Sequence, residues 1–283
     1  MDRVAIVCDS TCDLGPEWLA SNEVRMVPLK VLFGTDSFLD WVDLTPELFY
    51  EKLGASAVLP KTSQPSPADF AAVYAELADA GFSEIVSIHL TSALSGTFES
   101  ATMAAADSAV PVRIVDTKTV SLATGLAIQA AVRTRDAGGD AASVEQAART
   151  AAESSRLFFV LDTLEYLVKG GRAGKASGLA ASVLNIKPIL TFTSEGTIEP
   201  YKKIKGLKKA MAELVSRVAE DSAEKPVRLS VIHGAAPDLA DQLLADLQAS
   251  EARYTLETVS SIGAVIGTYG GPGAIGVAYH PEM

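Results

Sequence analysis

Two short stretches concentrate hydroxyl groups where a chain could hold an anion. Thr62-Ser63-Gln64-Pro65-Ser66 and Thr91-Ser92-Ala93-Leu94-Ser95-Gly96-Thr97 each precede a helical pattern. A helix N-terminus leaves backbone N–H groups unpaired and carries partial positive charge, and serine or threonine hydroxyls add further donors. Gly96 lets backbone approach a ligand closely. One such loop reads most simply as a helix cap. Two in succession, both at expected carboxyl ends of strands in an open sheet, predict a ligand crevice.

Groups that catalyse by themselves are few. His89 and His233 end apolar runs and read as structural histidines, and His280 lies near the C-terminus. There is no Gly-x-Ser-x-Gly elbow and no Walker loop. Gly271-Pro-Gly273-Ala-Ile-Gly276 matches a dinucleotide fingerprint by letter, but too little chain follows it for the helix, strand and distant acid that such a site needs. Asp9 has the placement of an aspartyl phosphotransferase nucleophile. The next acid, Asp13, is four residues on rather than two, so Asp9 reads as a turn former. Cys8 and Cys12 build neither a zinc site nor a disulfide framework and predict buried thiols in a reduced protein. The expectation is a chain with no catalytic residue, no metal ligand and no cofactor. A phosphotransferase or hydrolase using Asp9 with Asp116 or His89 is the competing enzyme reading.

The elements that must position these loops alternate. Val4 to Cys8 is an apolar run suited to a strand buried on both faces. Val24 to Phe33 is a second extended candidate, with Pro28 at an edge or bulge. Thr45-Pro46 opens a helix with Gly54 placed just past its end. Ser66-Pro67-Ala68-Asp69 predicts a capped start, and Phe70, Val73, Tyr74 and Leu77 then form one apolar face up to Gly81. Ile85–Leu90 and Val112–Val115 read as strands, with helices over Thr97–Ala106 and Leu122–Arg135. This rhythm predicts a mostly parallel sheet covered on both faces. Gly138-Gly139-Asp140 reads as a helix–helix connection. From about Leu157 the pattern changes: a strand to Leu161, a helix ending at Gly170-Gly171, then a small-residue helix to Leu184. Strands near Ile189–Phe192, Ile198–Tyr201, Leu229–Ile232, Tyr254–Thr258 and Ala274–Ala278, with a helix on Leu207, Met211, Leu214, Val215 and Val218, complete a second α/β unit.

Composition narrows the function classes. At 283 residues two domains are the better prior, and a core of that size needs no disulfide staples. A net charge of −11 argues against nucleic acid, whose backbone it would repel. Lys202, Lys203, Lys205, Lys208 and Lys209 stand out against that charge. They read first as a solvated helix face, with a docking patch for an acidic partner as the alternative. Met1-Asp2-Arg3 leads straight into a core strand without a signal peptide. The most apolar window, Ile262 to Tyr279, is broken by glycines and Pro272, so no membrane insertion is expected. The predicted location is the cytoplasm.

The strings VAIVCDSTCDL, KTSQPSPADF, LSGTF, VDTKTVSLATG, LEYLVKGGR, LNIKPIL and GGPGAIGVAY, in that order, resemble the DegV family of bacterial fatty-acid-binding proteins. They run from about residue 4 to 279. The resemblance implies a two-domain α/β fold: an N-terminal α/β/α parallel-sheet domain, residues 1–155, and a C-terminal two-layer α/β domain, residues 156–283. A long-chain fatty acid would lie in a tunnel between them. Its carboxylate would be held by Thr62, Ser63 and Ser95, with Gly96, Thr97 and Tyr269 completing the site. Family members serve as the lipid-presenting subunit of a fatty acid kinase, whose separate ATP-dependent subunit phosphorylates the bound carboxylate. The resemblance therefore implies that catalytic subunit as a partner, Arg172 as the residue presented to it, and Lys205 as an extension of the docking patch. Many relatives carry a histidine three residues before the Pro-Gly of the last motif; here that position is Tyr269. A phenol donates a hydrogen bond but cannot become a cation near neutral pH, which predicts a neutral and weaker hold on the same ligand. A carrier or sensor of another carboxylate amphiphile, with no kinase partner, is the second binding reading.

Overall fold

The structure, a computed structural model, describes residues 3–179 and 186–283. In chain order its elements are β1 (Val4–Asp9), α1 (Pro16–Ser21), β2 (Val24–Val27), β3 (Lys30–Phe33), β4 (Asp36–Leu39), α2 (Pro46–Ala55), β5 (Lys61–Ser63), α3 (Pro67–Asp79), β6 (Glu84–His89), α4 (Thr97–Ala106), β7 (Val112–Asp116), α5 (Ser121–Asp136) and α6 (Ala141–Ser154). They continue with β8 (Arg156–Val160), α7 (Glu165–Lys169), β9 (Ile186–Phe192), β10 (Ile198–Lys205), α8 (Leu207–Asp221), β11 (Val227–His233), α9 (Pro237–Gln248), β12 (Tyr254–Ser261), α10 (Ala264–Gly270) and β13 (Ile275–Pro281).

The predicted parallel sheet is present, in the order β2-β1-β6-β7. Every residue of β1 is buried, as a strand covered on both faces requires. Ala5, Val7 and Ile85 pack on Phe70, Tyr74 and Leu77 of α3 and on Ala101 and Ala104 of α4. Ile6, Cys8, Val86 and Ile88 point the other way, toward α5 and α6. The chain steps from β1 to β2 on one side and later to β6 on the other. Strand order therefore reverses between β1 and β6, and a crevice opens at their carboxyl ends.

A six-stranded sheet, β10-β9-β8-β13-β11-β12, is antiparallel except for the β11–β12 pair. Period-two alternation divides its side chains. Phe158, Val160, Leu229, Val231 and Val277 pack under α8 and α9, whereas Leu157, Ile232 and Ala278 join the core shared with α5. Helix α5 is buried all round from Ser121 to Val132 and touches β1, β6, β11 and β13, so it lies between the two sheets. A small antiparallel sheet, β4-β3-β5, packs its core residues Val31 and Phe33 with Phe49 of α2 and Ala264 and Val265 of α10.

Four expectations change. Val24–Phe33 is two strands in different sheets, β2 and β3, because Pro28 between them can join neither ladder. Gly54 lies in the last turn of α2, which ends one residue later at Ala55. Lys202, Lys203 and Lys205 sit on strand β10, and only Lys208 and Lys209 on α8, so the cluster is not one helix face. Gly174–Leu179 forms tight 3-10 turns rather than an α-helix, and residues 180 to Leu184 of that predicted helix lie outside the described residues.

Candidate functional site

The crevice deepens into a cavity with ≈ 980 Å³ of empty space, mouth included, lined by both halves of the chain. Leu29, Leu90, Leu94 and Val120 come from the first half; Leu157, Phe159, Leu161, Phe192, Ile232, Ile262 and Ile266 come from the second. Along β8, residues 157 and 159 face the cavity and 158 and 160 face the α8/α9 core, which is the alternation of a strand with two apolar faces.

Its polar wall is small. Thr62, Gln64, Ser95, Ser121, Tyr269 and Arg172 supply it, and among the described residues Arg172 is the only charged side chain in the lining. Thr62 Oγ1 and the Tyr269 hydroxyl are 2.5 Å apart, joining β5 to α10. The Arg172 guanidinium carbon stands 5.2 Å from the Tyr269 ring centroid, and Nη1 donates to the Gly170 carbonyl at 2.9 Å. No carboxylate pairs with Arg172 among the described residues. A cation facing an apolar cavity without a counter-ion is an invitation to an anionic ligand. Gly170 permits this arrangement, since a Cβ there would run into the Tyr269 ring. Thr62, Tyr269 and Arg172 also line a second, open cavity, which reaches out over Lys61, Val58 and Lys169. The Thr62–Tyr269 bond thus stands between an apolar interior and a basic exterior.

Helix α10, which carries Tyr269, is fixed by buried carboxylates. Asp13 Oδ1 accepts from Gly263 N at 2.9 Å, and Oδ2 accepts from the Ser121 hydroxyl at 2.7 Å. Asp40 Oδ1 accepts from Ala264 N at 2.8 Å, and Oδ2 lies 2.8 Å from the Ser10 hydroxyl. Burial is the largest influence on both, pushing Asp13 up to about 7 and Asp40 up to about 8 against the hydrogen bonds that favour the ionised forms.

Of the residues expected at the site, Thr62, Ser95, Tyr269 and Arg172 come together. Gly96 and Thr97 lie just behind: Thr97 is buried with its hydroxyl 2.9 Å from that of Ser95, and a Cβ on Gly96 would lie 2.5 Å from Gln64 Nε2. Ser63 is not in the lining. It is exposed and donates to the Gln64 carbonyl at 3.3 Å, because neighbours on β5 must face opposite ways. The same alternation brings Gln64, two residues after Thr62, into the wall. Alternation from Thr62 carries that signal in the sequence, whereas no such pattern marks Ser121. Lys205, at the exposed end of β10, lies outside both cavities. Arg172 was expected only as a docking residue, yet it lines the cavity itself.

Asp9, the centre of the enzyme reading, is fully buried and outside the cavity lining. It accepts from Thr11 N, Thr11 Oγ1 and Leu90 N, and its Oδ2 lies 3.0 Å from His89 Nδ1. His89 Nε2 is in turn 2.7 Å from Ser87 Oγ. Both groups latch β1 to β6, with their hydrogen-bonding capacity used in doing so.

A sequence model of the DegV family, described as uncharacterised protein, matches residues 3–282. A DegV domain-containing protein of Streptomyces coelicolor is 38% identical over 275 residues, covering 97% of each chain. The solved structure of a DegV family protein from Thermus thermophilus, described as fatty acid binding, superimposes with a TM-score of 0.93 at 32% identity, covering 99% of this chain and 100% of that one. DegV of Bacillus subtilis, described as a fatty acid binding protein, gives a TM-score of 0.89 at 30% identity, with both chains fully covered. By sequence along nearly its whole length, and by fold, the chain belongs to the DegV family.

Proposed function

We propose that the protein binds one long-chain fatty acid with its acyl chain in the inner cavity and its carboxylate among Thr62, Ser95, Tyr269 and Arg172. The observation that carries this reading is the cavity's polarity: an apolar lining with one small polar wall of hydroxyls, Gln64 and, among the described residues, one guanidinium without a carboxylate partner. The relatives described as fatty acid binding support it. Each methylene removed from water contributes about 0.8 kcal/mol, so the chain supplies most of the affinity. The head group need only avoid being buried unpaired. Residues 1–155 and 156–283 act as the two units that close a tunnel on the chain.

The protein then presents the carboxylate through the outer cavity to a separate ATP-dependent kinase subunit in the bacterial cytoplasm. A carboxylate oxygen attacks the γ-phosphorus, the bond to ADP breaks, and an acyl phosphate forms. Arg172 faces both cavities, so its guanidinium serves the carboxylate from inside and the incoming phosphoryl charge from outside. The test loads the protein with palmitate, adds a bacterial fatty acid kinase catalytic subunit and ATP, and traps acyl phosphate with hydroxylamine. Hydroxamate should form only when all components are present, and Arg172→Ala should lower it at least tenfold while palmitate stays bound. A loaded protein that yields no hydroxamate would leave a carrier without the kinase role.

A further inference from the structure

At the far end of α5 lies a third, open cavity, with ≈ 690 Å³ of empty space, mouth included, lined by Arg133, Arg228 and His280 among others. Ser121 lines the lipid cavity and Arg133 lines this one; at ~1.5 Å rise per residue the helix separates them by roughly 18 Å. Arg133 and Arg228 share one carboxylate oxygen, Glu257 Oε1, so the three side chains carry one net positive charge. All three are partly sheltered, with side-chain exposures of 36%, 29% and 14%. A partly sheltered excess of positive charge on a chain of net charge −11 calls for an anion.

His280 defines which anion. Its Nδ1 lies 2.8 Å from the Pro281 carbonyl, and a carbonyl only accepts, so Nδ1 bears the proton. Nε2 then offers a lone pair. It is fully buried and has no hydrogen-bond partner among the described residues, a costly condition for a polar atom. The charged groups facing the ring are Arg133 from α5, Arg228 from β11 and Glu257 from β12. Burial first, with the two arginines adding to it, keeps the imidazole below its ordinary pKa, against the Pro281 carbonyl and Glu257. The cluster thus combines cationic donors with one acceptor.

We propose that Arg133, Arg228 and His280 form a second binding site, selective for a phosphate that keeps an acidic hydrogen: free hydrogenphosphate or the monoanion of a phosphomonoester. Phosphate oxygens would accept from both guanidiniums while a P–O–H donates to His280 Nε2. Sulfate and carboxylate ions carry no such hydrogen at neutral pH.

Calorimetric titration of the full chain at pH 6, where roughly half of a phosphomonoester keeps that hydrogen and sulfate still has none, with inorganic phosphate, glycerol 3-phosphate and sulfate tests this. Phosphate or its monoester should bind saturably, with sulfate at least tenfold weaker; the tighter of the first two identifies the source of the group. In the wild-type protein the ¹⁵N resonance of His280 Nε2 should move from its free lone-pair position as phosphate is added. Arg133→Gln should weaken phosphate at least tenfold with an unchanged melting temperature in its absence. No saturable phosphate binding, equal binding of phosphate and sulfate, an unmoved His280 resonance, or full affinity in a folded Arg133→Gln variant would each overturn the proposal.

Discussion

Tyr269 is fixed by three contacts of different kinds: the Thr62 hydroxyl at its tip, the Arg172 guanidinium over its face, and the bare backbone of Gly170 against its edge. Removing only the tip, in Tyr269→Phe, forfeits one neutral hydrogen bond. Palmitate affinity should then fall by roughly 2- to 12-fold, which corresponds to ~0.5–1.5 kcal/mol. Fluorescence displacement measures it, and unchanged affinity would mean the phenol does not face the head group. The buried carboxylates behind α10 make a separate prediction. Asp13 and Asp40 have folded pKa values raised to about 7 and about 8, so between pH ~4 and those values the folded state binds protons that the unfolded state has released. Their contribution is present at low pH and lost as pH rises through the folded values. Each group can lower stability by up to about 1.4 kcal/mol per pH unit in that window. Asp40→Asn keeps an acceptor for Ala264 N and places an amide donor beside Ser10. Urea denaturation from pH 5 to 8 should show a flatter decline for that variant, and an unaltered slope would refute the assignment.

At the scale of elements, β8 makes two opposite predictions from adjacent residues. Phe159→Trp fills the lipid cavity and should reduce palmitate binding at least tenfold while the protein stays folded. Phe158→Ala opens a hole under α8 and should cost ~3–5 kcal/mol of stability, with palmitate affinity at a permissive temperature nearly unchanged. If either variant shows the other's phenotype, the two faces of β8 have been misassigned. The contrast also shows what was legible in the sequence. A continuous apolar run marked β1, which is buried on both faces, helical and alanine-rich patterns marked α3, α4 and α5, and the Ser66–Asp69 capping box marked the start of α3 by local chemistry alone. The three-residue β5 and four-residue β4 carry too few side chains for any period to emerge, so the sequence does not mark their small sheet. α10 was hidden by its glycines, which suggest a loop while in fact admitting the rings of Phe49 and Tyr50 beside Gly267. Thr62 and Ser95 were visible as hydroxyls beside helix starts. That Ser63 faces away and Arg172 faces in depended on strand direction and on a contact between segments about a hundred residues apart.

For the whole molecule, α5 is the element that makes two sheets one object. It is buried against both, so a ligand spanning the crevice binds a surface that exists only when the two halves are assembled. A saturating fatty acid should therefore raise the melting temperature of a single transition seen by both near-ultraviolet and far-ultraviolet circular dichroism. At a free concentration one hundred times Kd the expected stabilisation is about 2.7 kcal/mol. Two transitions, only one of them ligand-dependent, would show the halves to be independent.

The central claim is occupancy of the inner cavity by a fatty acid, and it is tested most directly by native mass spectrometry of the purified protein, followed by denaturing extraction and lipid identification. One bound mass equal to a single long-chain fatty acid, present in the wild type and depleted in a folded Thr62→Ala/Ser95→Ala variant, is the predicted result. A protein that purifies empty and takes up no added fatty acid, or one whose bound lipid is indifferent to both hydroxyls, would contradict the account.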